Sequence, residues 1–230
     1  NEMFVTSFEP PTGPNSGGIV VQQLGGGGQA PGAASSFPQE LTVSGSALYF
    51  TADPGDGREL FRRTSNAVQL VEDLRASGGA DPRNLTDVNG VLYFSANNGS
   101  DGFEPYRSQG IPSNTFQIAD INPGSASSHP DEFFAAIGGQ VFFAADDGTN
   151  GTELWKTNGT DGNATLVADI RPGSAGSDPQ LIYDTGTRLI FSAEGSDNDR
   201  ELWSTDGVSI TLQVADLNAG DSFGSDPGDI

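Results

Sequence analysis

Short apolar runs recur along this chain at nearly even spacing. The clearest is Val141-Phe142-Phe143, and similar runs return at residues 48–50, 92–94 and 189–191, so that a phenylalanine falls at positions 50, 94, 143 and 191. These phenylalanines are 44, 49 and 48 residues apart. A period of this length is typical of repeat architectures in which each repeat is one supersecondary unit.

Three further markers keep the same phase. A glutamate followed by Leu or Pro and an aromatic residue recurs at residues 59–61, 104–106, 153–155 and 201–203. An aspartate followed by Leu or Ile recurs at 73–74, 120–121, 169–170 and 216–217, and a proline introduces each repeat at 38, 82, 130, 179 and 227. We therefore predict four full repeats at residues 37–81, 82–129, 130–178 and 179–226, and the start of a further repeat at 227–230.

Each repeat contains four runs that fit short strands. In the third repeat they are residues 133–137, 141–145, 153–157 and 165–170, separated by turns rich in Gly, Asn and Asp. About 12 residues per strand and turn is typical of antiparallel hairpins. The second run is apolar throughout and ends in alanine, so it must be covered on both faces. The sequence therefore predicts an all-β fold, a β-propeller of ~48-residue four-stranded repeats with at least four full blades.

The first 36 residues align with the second half of a repeat. Glu2–Thr6 matches Glu153–Thr157, and Ile19–Leu24 matches Thr165–Ile170. We therefore expect residues 1–36 to supply the last two strands of a partial blade, with a flexible Gly/Pro-rich linker as the alternative. Residues 226–230 match the entry to another repeat, so a continuation of the chain would supply the first two strands of that blade, and the joined ends would remove open sheet edges. The first residue is Asn rather than Met, which suggests a processed or unrepresented amino end.

Charge and composition argue against several classes of function. Ten basic residues against 31 acidic ones give a net charge of −21, and Lys156 is the one lysine. Such a surface repels phosphate backbones and anionic lipid, so we expect no nucleic-acid binding. No apolar run approaches the ~20 residues of a membrane helix, so we expect no direct membrane insertion. Cysteine is absent, which leaves no disulfide framework and no thiol chemistry.

Two segments of the chain carry a recognisable motif. Residues 153–160, ELWKTNGT, and residues 201–207, ELWSTDG, resemble the bacterial ELWxxDGT repeat family. The first two repeats depart from that motif, because Phe61 and Tyr106 stand at the tryptophan position and no Asp-Gly follows. The resemblance covers roughly residues 37–230. It implies a large secreted or surface protein of bacteria and assigns no activity to individual residues.

The turn between the second and third strands holds oxygen-bearing side chains in every repeat. They are Asp53, Asp56 and Glu59; Asn98, Asp101 and Glu104; Asp146, Asp147, Asn150 and Glu153; and Glu194, Asp197, Asp199 and Glu201. Calcium takes six to eight such oxygens, and glycine lets the backbone curl around the ion. The third repeat clusters the most, so Asp146, Asp147, Asn150 and Glu153 are the candidate calcium ligands. The alternative is hairpin chemistry alone, because Asp-Gly and Asn-Gly accept positive φ.

Other residues fit structural roles better than chemical ones. The fourth-strand aspartates Asp73, Asp120, Asp169 and Asp216 are expected to accept N–H bonds from the following turn, with a ring of channel carboxylates as the alternative. The aromatic residue of each triplet fits a wedge between blades better than a sugar-stacking platform. His129, the only histidine, occupies a slot held by aspartate in the other repeats. Nucleophile–base pairs are therefore nearly excluded.

These patterns favour a non-enzymatic, extracytoplasmic β-propeller that acts as a protein-binding or scaffolding module, with calcium as an optional stabiliser. Its expected partners are other proteins of the cell surface or of a membrane complex. One alternative is an accessory subunit docked on the outer face of a larger membrane protein assembly. The alternative from another class is a glycan-active hydrolase or lyase that uses channel carboxylates. The fold alone does not decide between them.

Overall fold

A computed structural model describes residues 4–7, 20–23, 36–65, 67–208 and 212–215 of the chain. The strands in these ranges are β1 (Phe4–Ser7), β2 (Val20–Gln23), β3 (Gln39–Ser44), β4 (Ala47–Ala52), β5 (Glu59–Arg63), β6 (Val68–Glu72), β7 (Arg83–Val88), β8 (Val91–Asn97), β9 (Phe103–Ser108), β10 (Phe116–Gln117), β11 (Asp131–Ala136), β12 (Gln140–Asp146), β13 (Thr152–Thr157), β14 (Ala164–Ala168), β15 (Gln180–Asp184), β16 (Leu189–Glu194), β17 (Arg200–Thr205) and β18 (Leu212–Ala215). Two single-turn 3₁₀ helices lie at Pro112–Asn114 and Ile137–Gly139. In the described ranges no helix is long and apolar enough to span a membrane.

The strands form four antiparallel sheets of four strands each, and every sheet is made of strands consecutive in the chain. We call β3–β6 the first sheet, β7–β10 the second, β11–β14 the third and β15–β18 the fourth. The prediction of an all-β fold built from four-stranded antiparallel sheets is confirmed. The strands of the third sheet begin and end within two residues of the predicted runs.

Strands β1 and β2 form a separate antiparallel hairpin, in which Phe4 pairs with Gln23 and Ser7 with Val20. The hairpin overlaps the runs predicted at residues 2–6 and 19–24. Its membership of a partial blade stays a prediction. The loops on either side of β2 and the predicted further repeat at 227–230 lie outside the described residues.

Register irregularities recur from sheet to sheet. The register between the first and second strands shifts by a bulge between Gln39 and Thr42 in the first sheet, and between Arg83 and Thr86 in the second. A second bulge follows Leu60, and its counterpart in the third sheet follows Leu154. A bulge bends a strand and increases its twist. The repeats therefore share a backbone geometry and not only a strand order.

The apolar core lies between successive sheets. One cluster joins the first and second sheets around Leu60 and Leu92, another joins the second and third around Tyr93 and Phe143, and a third joins the third and fourth around residues Leu154 and Phe191. The second strands are buried on both faces, as their unbroken apolar runs predicted.

The first strands of successive sheets lie side by side, β3 next to β7, β7 next to β11 and β11 next to β15. Hydrogen bonds cross between them. Thr42 Oγ1 donates to the Leu85 carbonyl oxygen at 2.9 Å, the Leu85 N–H donates to Glu40 Oε2 at 3.2 Å, and Asn84 Nδ2 donates to the Pro130 carbonyl oxygen at 3.3 Å. The sheets are therefore joined at their first strands by polar contacts as well as by the apolar core.

Candidate functional site

The glutamate at the first or second position of each third strand is buried in the protein. Glu59, Glu104, Glu153 and Glu201 expose only 4%, 0%, 0% and 3% of their surface. A buried carboxylate is unfavourable unless hydrogen bonds replace its water. Its partners therefore show what these four residues do.

Glu104 binds the connection that leads from the second sheet to the third. Its Oε2 accepts a hydrogen bond from the Ile121 N–H at 2.9 Å and one from Ser128 Oγ at 2.6 Å, while its Oε1 accepts the Ser128 N–H at 2.9 Å. The two ends of the connection are thus tied to one side chain. Backbone N–H groups in a loop need such acceptors when they are buried.

Glu153 repeats this arrangement one sheet later. Its Oε2 accepts from the Ile170 N–H at 3.2 Å and from Ser177 Oγ at 2.6 Å, and its Oε1 accepts from the Arg171 N–H at 3.1 Å. The glutamate of the triplet is therefore a structural anchor for the connection between successive sheets. Sequence reasoning missed this role, although a glutamate near the start of every third strand, with a serine two residues before every repeat proline except Pro82, was a usable signal.

In the second and third repeats the role expected of the fourth-strand aspartates belongs mainly to these glutamates. Asp216 lies outside the described residues. Asp120 Oδ2 does accept an N–H bond from Gly124, but at 3.4 Å, which is long for an N–H···O bond. The reason is the position of the glutamate. A glutamate on the third strand lies beside the fourth strand's end, so that its longer side chain reaches both ends of the connection.

The predicted calcium ligands of the third repeat divide into two groups. Asp146 Oδ1 accepts the Gly148 N–H at 2.7 Å, Asp147 Oδ1 accepts the Thr149 and Asn150 N–H groups at 2.8 Å each, and Asp147 Oδ2 accepts from Asn150 Nδ2 at 2.8 Å. These three side chains stay within their own turn. Glu153 instead faces the interior connection. The turn is thus held by its own side-chain oxygens, the chemistry expected of a tight Asx turn.

A calcium site at Asp146, Asp147, Asn150 and Glu153 remains a prediction. Among the residues that the structure describes, no three acidic or histidine side chains converge in a way that would hold a metal ion. If the turns do bind calcium, the melting temperature rises with calcium concentration, because the ion binds only the native state. Sodium at matched ionic strength is the control. A melting temperature that ignores both calcium and a chelator would assign the turns to hairpin chemistry.

Burial changes the acid–base behaviour of the anchors. Burial raises the pKa of Glu59 and of Glu104 from 4.5 to about 7. The hydrogen bonds that the two carboxyl groups accept lower the pKa, but by less than burial raises it. Burial likewise raises the pKa of Glu153. Asp147 behaves in the opposite way. Partial burial raises its pKa, but the N–H groups of Asn150 and Thr149 lower it more, so its pKa lies below the ordinary value.

We expect the protein to lose stability as the pH rises from 4.5 to about 7. A carboxyl with a raised folded-state pKa binds a proton more tightly when folded, so its contribution is complete below pH 4.5 and is lost as the pH rises through its folded pKa. A shift of this size corresponds to about 3 kcal/mol for each buried carboxyl. The check is the melting temperature between pH 4.5 and 8. Glu104→Gln should flatten the profile, and an unchanged slope would contradict this assignment.

The side chain at the start of each connection contacts the acidic turn of the next sheet. Arg171 hydrogen-bonds Glu194 and Asn198, and its Nη1 also donates to the Gly176 carbonyl oxygen at 3.2 Å. Arg75 lies against Gly99 in the same way, and Asn122 lies against Gly148. The acidic turns of the second, third and fourth sheets are therefore covered by the preceding sheet.

His129 and the triplet aromatic residues have structural roles. His129 adopts a positive φ of 48°, matching 49° at Asp81 and 47° at Asp178, so it fills a slot set by the backbone. Aspartate tolerates this region well, and histidine is also enriched there. Among the triplet aromatics, Tyr106 stacks on Phe94 at 5.7 Å and Trp203 packs against the core of the third and fourth sheets. They are packing residues in this structure.

Comparison with known proteins identifies a fold and no family. No protein-family model and no curated protein matches the chain. Three solved structures resemble it over most of its length: an acylaminoacyl peptidase from Pyrococcus horikoshii (13% identity, 79% of this chain, TM-score 0.52), a puromycin hydrolase (15%, 84%, 0.54) and prolyl endopeptidases (12%, 88%, 0.51). The chain spans only 28%, 30% and 28% of those proteins. At this identity the likeness concerns the fold alone.

Proposed function

We propose that this chain is part of a non-enzymatic, extracytoplasmic β-propeller that acts as a protein-binding or scaffolding module. The observation that carries the proposal is that the fold itself uses the repeated carboxylates of the second and third repeats as hydrogen-bond acceptors. Glu104 and Glu153 hold the connections between sheets, while Asp146 and Asp147 hold their own turn. The groups best placed by sequence for acid–base or metal chemistry therefore act as backbone acceptors.

The open face of the first sheet supports the propeller. Leu41, Leu85 and Phe133 occupy the same place in the bulges of the first, second and third sheets. Leu85 and Phe133 are 8% and 4% exposed because each packs against the preceding sheet, whereas Leu41 is 59% exposed. A further repeat on this face would bury it as its counterparts are buried, and continued stacking of that kind closes a ring of blades.

A substitution at Leu41 tests whether a further repeat covers the first sheet. Leu85→Asp places a charge against the core and should lower the free energy of unfolding by about 3 kcal/mol or more. If another repeat covers Leu41 in the intact protein, Leu41→Asp should cost a similar amount there, as measured by chemical denaturation. A Leu41→Asp protein as stable as the parent would mean that the face is open.

The proposed location and partners rest on sequence properties. The net charge of −21, the absence of cysteine and the resemblance to ELWxxDGT repeats are all compatible with a bacterial surface protein. A strongly acidic surface favours partners that carry basic patches, and long-range attraction accelerates such encounters. We therefore propose proteins of the cell surface or of a membrane complex as partners. Antibody labelling of intact cells, followed by cross-linking and mass spectrometry, tests both points.

An activity screen tests the non-enzymatic part. The purified protein is assayed on polysaccharides, and also on peptides because the similar structures include peptidases. We expect no turnover above that of the Asp169→Asn variant. This variant removes one of the carboxylates that would line the channel of a hydrolase or lyase. Turnover that the parent shows and Asp169→Asn abolishes would overturn the scaffold function in favour of a hydrolase or lyase.

A further inference from the structure

The first sheet has a pocket that contains three carboxylates. It measures about 540 Å³ and opens beside the turn between β4 and β5. Its lining residues are Pro54, Gly55, Asp56, Glu59, Leu70 and Asp73. The size falls in the usual range for a pocket that takes an organic group.

One of these carboxylates lacks a hydrogen bond that its counterparts possess. Glu59 Oε1 accepts the Ala80 N–H at 2.9 Å, as Glu104 Oε1 accepts the Ser128 N–H. Glu104 Oε2 also accepts from the serine hydroxyl, but Ala80 has no hydroxyl to offer. Glu59 Oε2 is buried, and no donor of the described residues meets hydrogen-bond geometry with it. The Leu74 N–H lies near enough to lower the pKa of Glu59 but does not fill this acceptor as the serine hydroxyl does in the sister repeats. A buried oxygen without a partner is unfavourable, so it is a place where a donor would be stabilising.

The connection that passes this oxygen differs between the first repeat and its sister repeats. It runs over residues 74–80, whereas the corresponding connection of the second repeat runs over 121–128 and is one residue longer. The shortening and the exchange of serine for Ala80 occur together. The first repeat thus keeps the anchoring glutamate but lacks the group that fills its second acceptor.

The pocket has excess negative charge. Besides burial, the charges of Asp73 and Asp56 raise the pKa of Glu59, because like charges repel. Arg58, which precedes Glu59 in the chain, is engaged elsewhere. Its Nη1 donates to the Phe37 carbonyl oxygen at 2.8 Å and to Thr51 Oγ1 at 3.1 Å. A cation from outside would therefore relieve the repulsion.

The geometry favours an organic cation over a metal ion. No three acidic side chains of the described ranges converge closely enough for a metal ion, which needs several oxygens at short distance. The walls formed by Pro54 and Leu70 are apolar, and Leu70 is 45% exposed. Apolar walls suit the methylene groups of a long basic side chain, whose charged end then meets the carboxylates.

The fourth sheet contains a precedent for the type of cation. There the Arg171 guanidinium binds Asn198, which stands three residues before Glu201 as Asp56 stands three residues before Glu59. It also forms an ion pair with Glu194, which follows Ala193 as Asp53 follows Ala52. A guanidinium therefore already lies on the corresponding turn of a sister repeat. Its planar fork donates to two carboxylates at once.

We propose that the pocket of the first sheet binds the arginine side chain of a partner protein, with its guanidinium donating to Asp56, Asp73 and Glu59 and its methylene groups against Leu70. This inference rests on the proposed function as a protein-binding module and names the chemistry of the partner. Among the three repeats whose connections the structure describes, only the first leaves this oxygen to a ligand, because the serines of the second and third repeats already occupy the second acceptor oxygen.

Titration with short peptides tests the site without requiring the partner. The probe is acetyl-Gly-Arg-Gly-amide, and its control is the same peptide with citrulline, which keeps the shape and loses the charge. Amide NMR shifts of Gly55 and Gly57 report binding. We expect the arginine peptide to bind at least about tenfold more tightly than the citrulline peptide, because charge-assisted hydrogen bonds are the stronger ones. Equal affinities would overturn the proposal.

Two variants locate the binding. Asp73→Asn should weaken the arginine peptide about tenfold, whereas Asp161→Asn, which removes the same charge from an exposed turn of the third sheet, should leave the affinity unchanged. Ala80→Ser restores the donor found in the sister repeats. It should raise the melting temperature and weaken the peptide. Peptide binding that is indifferent to both Asp73→Asn and Ala80→Ser would place the site elsewhere and overturn the assignment.

Two further probes distinguish other occupants. Binding of calcium chloride without binding of the arginine peptide would replace the arginine by a metal ion. Agmatine binding at least tenfold more tightly than the peptide would identify a free small cation as the ligand and overturn the role of a partner protein. If the arginine peptide does not bind but cross-linking on cells still captures partner proteins, only the assignment of the pocket is wrong. Peptide binding with no partner captured would instead contradict the scaffold function.

Discussion

Glu104→Ala is expected to lower the free energy of unfolding by about 3 kcal/mol. The substitution leaves the buried Ile121 N–H without its acceptor. It also removes one acceptor from the Ser128 N–H and Ser128 Oγ, which keep the Phe103 carbonyl oxygen at 3.0 and 3.4 Å. The orphaned donor costs about 1–3 kcal/mol and each hydrogen bond lost at Ser128 about 1 kcal/mol, and part of the total is recovered because a buried carboxyl is removed. Denaturant unfolding followed by tryptophan fluorescence measures the change. The free energy of unfolding is extrapolated linearly to zero denaturant.

Two matched variants separate the anchor from mere volume. Ser128→Ala removes one donor and recreates the alanine of the first repeat, so it should cost only about 1 kcal/mol. Glu104→Gln keeps the shape but turns an amide NH₂ group towards N–H donors. Its loss of stability should therefore lie between those of Ser128→Ala and Glu104→Ala. A Glu104→Ala protein no less stable than Ser128→Ala would show that the carboxylate does not hold the connection.

Gly151→Ala is expected to lower the free energy of unfolding by at least about 4 kcal/mol, because the clash is with backbone and cannot be relieved by moving a side chain. An alanine Cβ at this position would lie 2.4 Å from Gly176 N and 2.7 Å from Gly176 Cα. The turn before β13 and the connection after β14 therefore touch at a place where no side chain fits.

Gly162→Ala is the control for this prediction. Gly162 has a φ of +70°, against +69° at Gly151, and a Cβ there would meet nothing within 4 Å. Gly162→Ala should therefore lower the free energy of unfolding only by the cost of a left-handed backbone for alanine, about 1 kcal/mol. The difference between the two variants in denaturant unfolding thus measures the contact between turn and connection. Equal losses would mean that only the left-handed backbone matters.

The repeats, the strands and their burial were predictable from local sequence. The apolar run of each second strand ends in alanine and lies buried between neighbouring sheets, as at Phe94 and Phe143. Such a pattern is decided by short-range periodicity and by the need to cover both faces. The residues around each turn were predictable for the same reason, because Asp146 and Asp147 bind N–H groups two or three residues away.

The role of the triplet glutamates was not predictable from local sequence. Glu104 binds residues 17 and 24 positions later in the chain. At the start of a strand a carboxylate has two destinations, solvent with a cation or the interior with N–H groups, and both satisfy its charge. The choice depends on where the following connection runs, which is a property of the assembled sheets.

The same division holds for the pocket of the first repeat. The exchange of serine for Ala80 and the shorter connection are visible in the sequence, as is the spacing that aligns the four repeats. Their consequence is not visible there, because a missing hydroxyl matters only once Ala80 is known to lie on Glu59. The sequence by itself determined the repeats, the strands and the turns, whose interactions are local. The tertiary structure alone decided which carboxylates are satisfied and which one lacks a donor, because those partners come from distant parts of the chain.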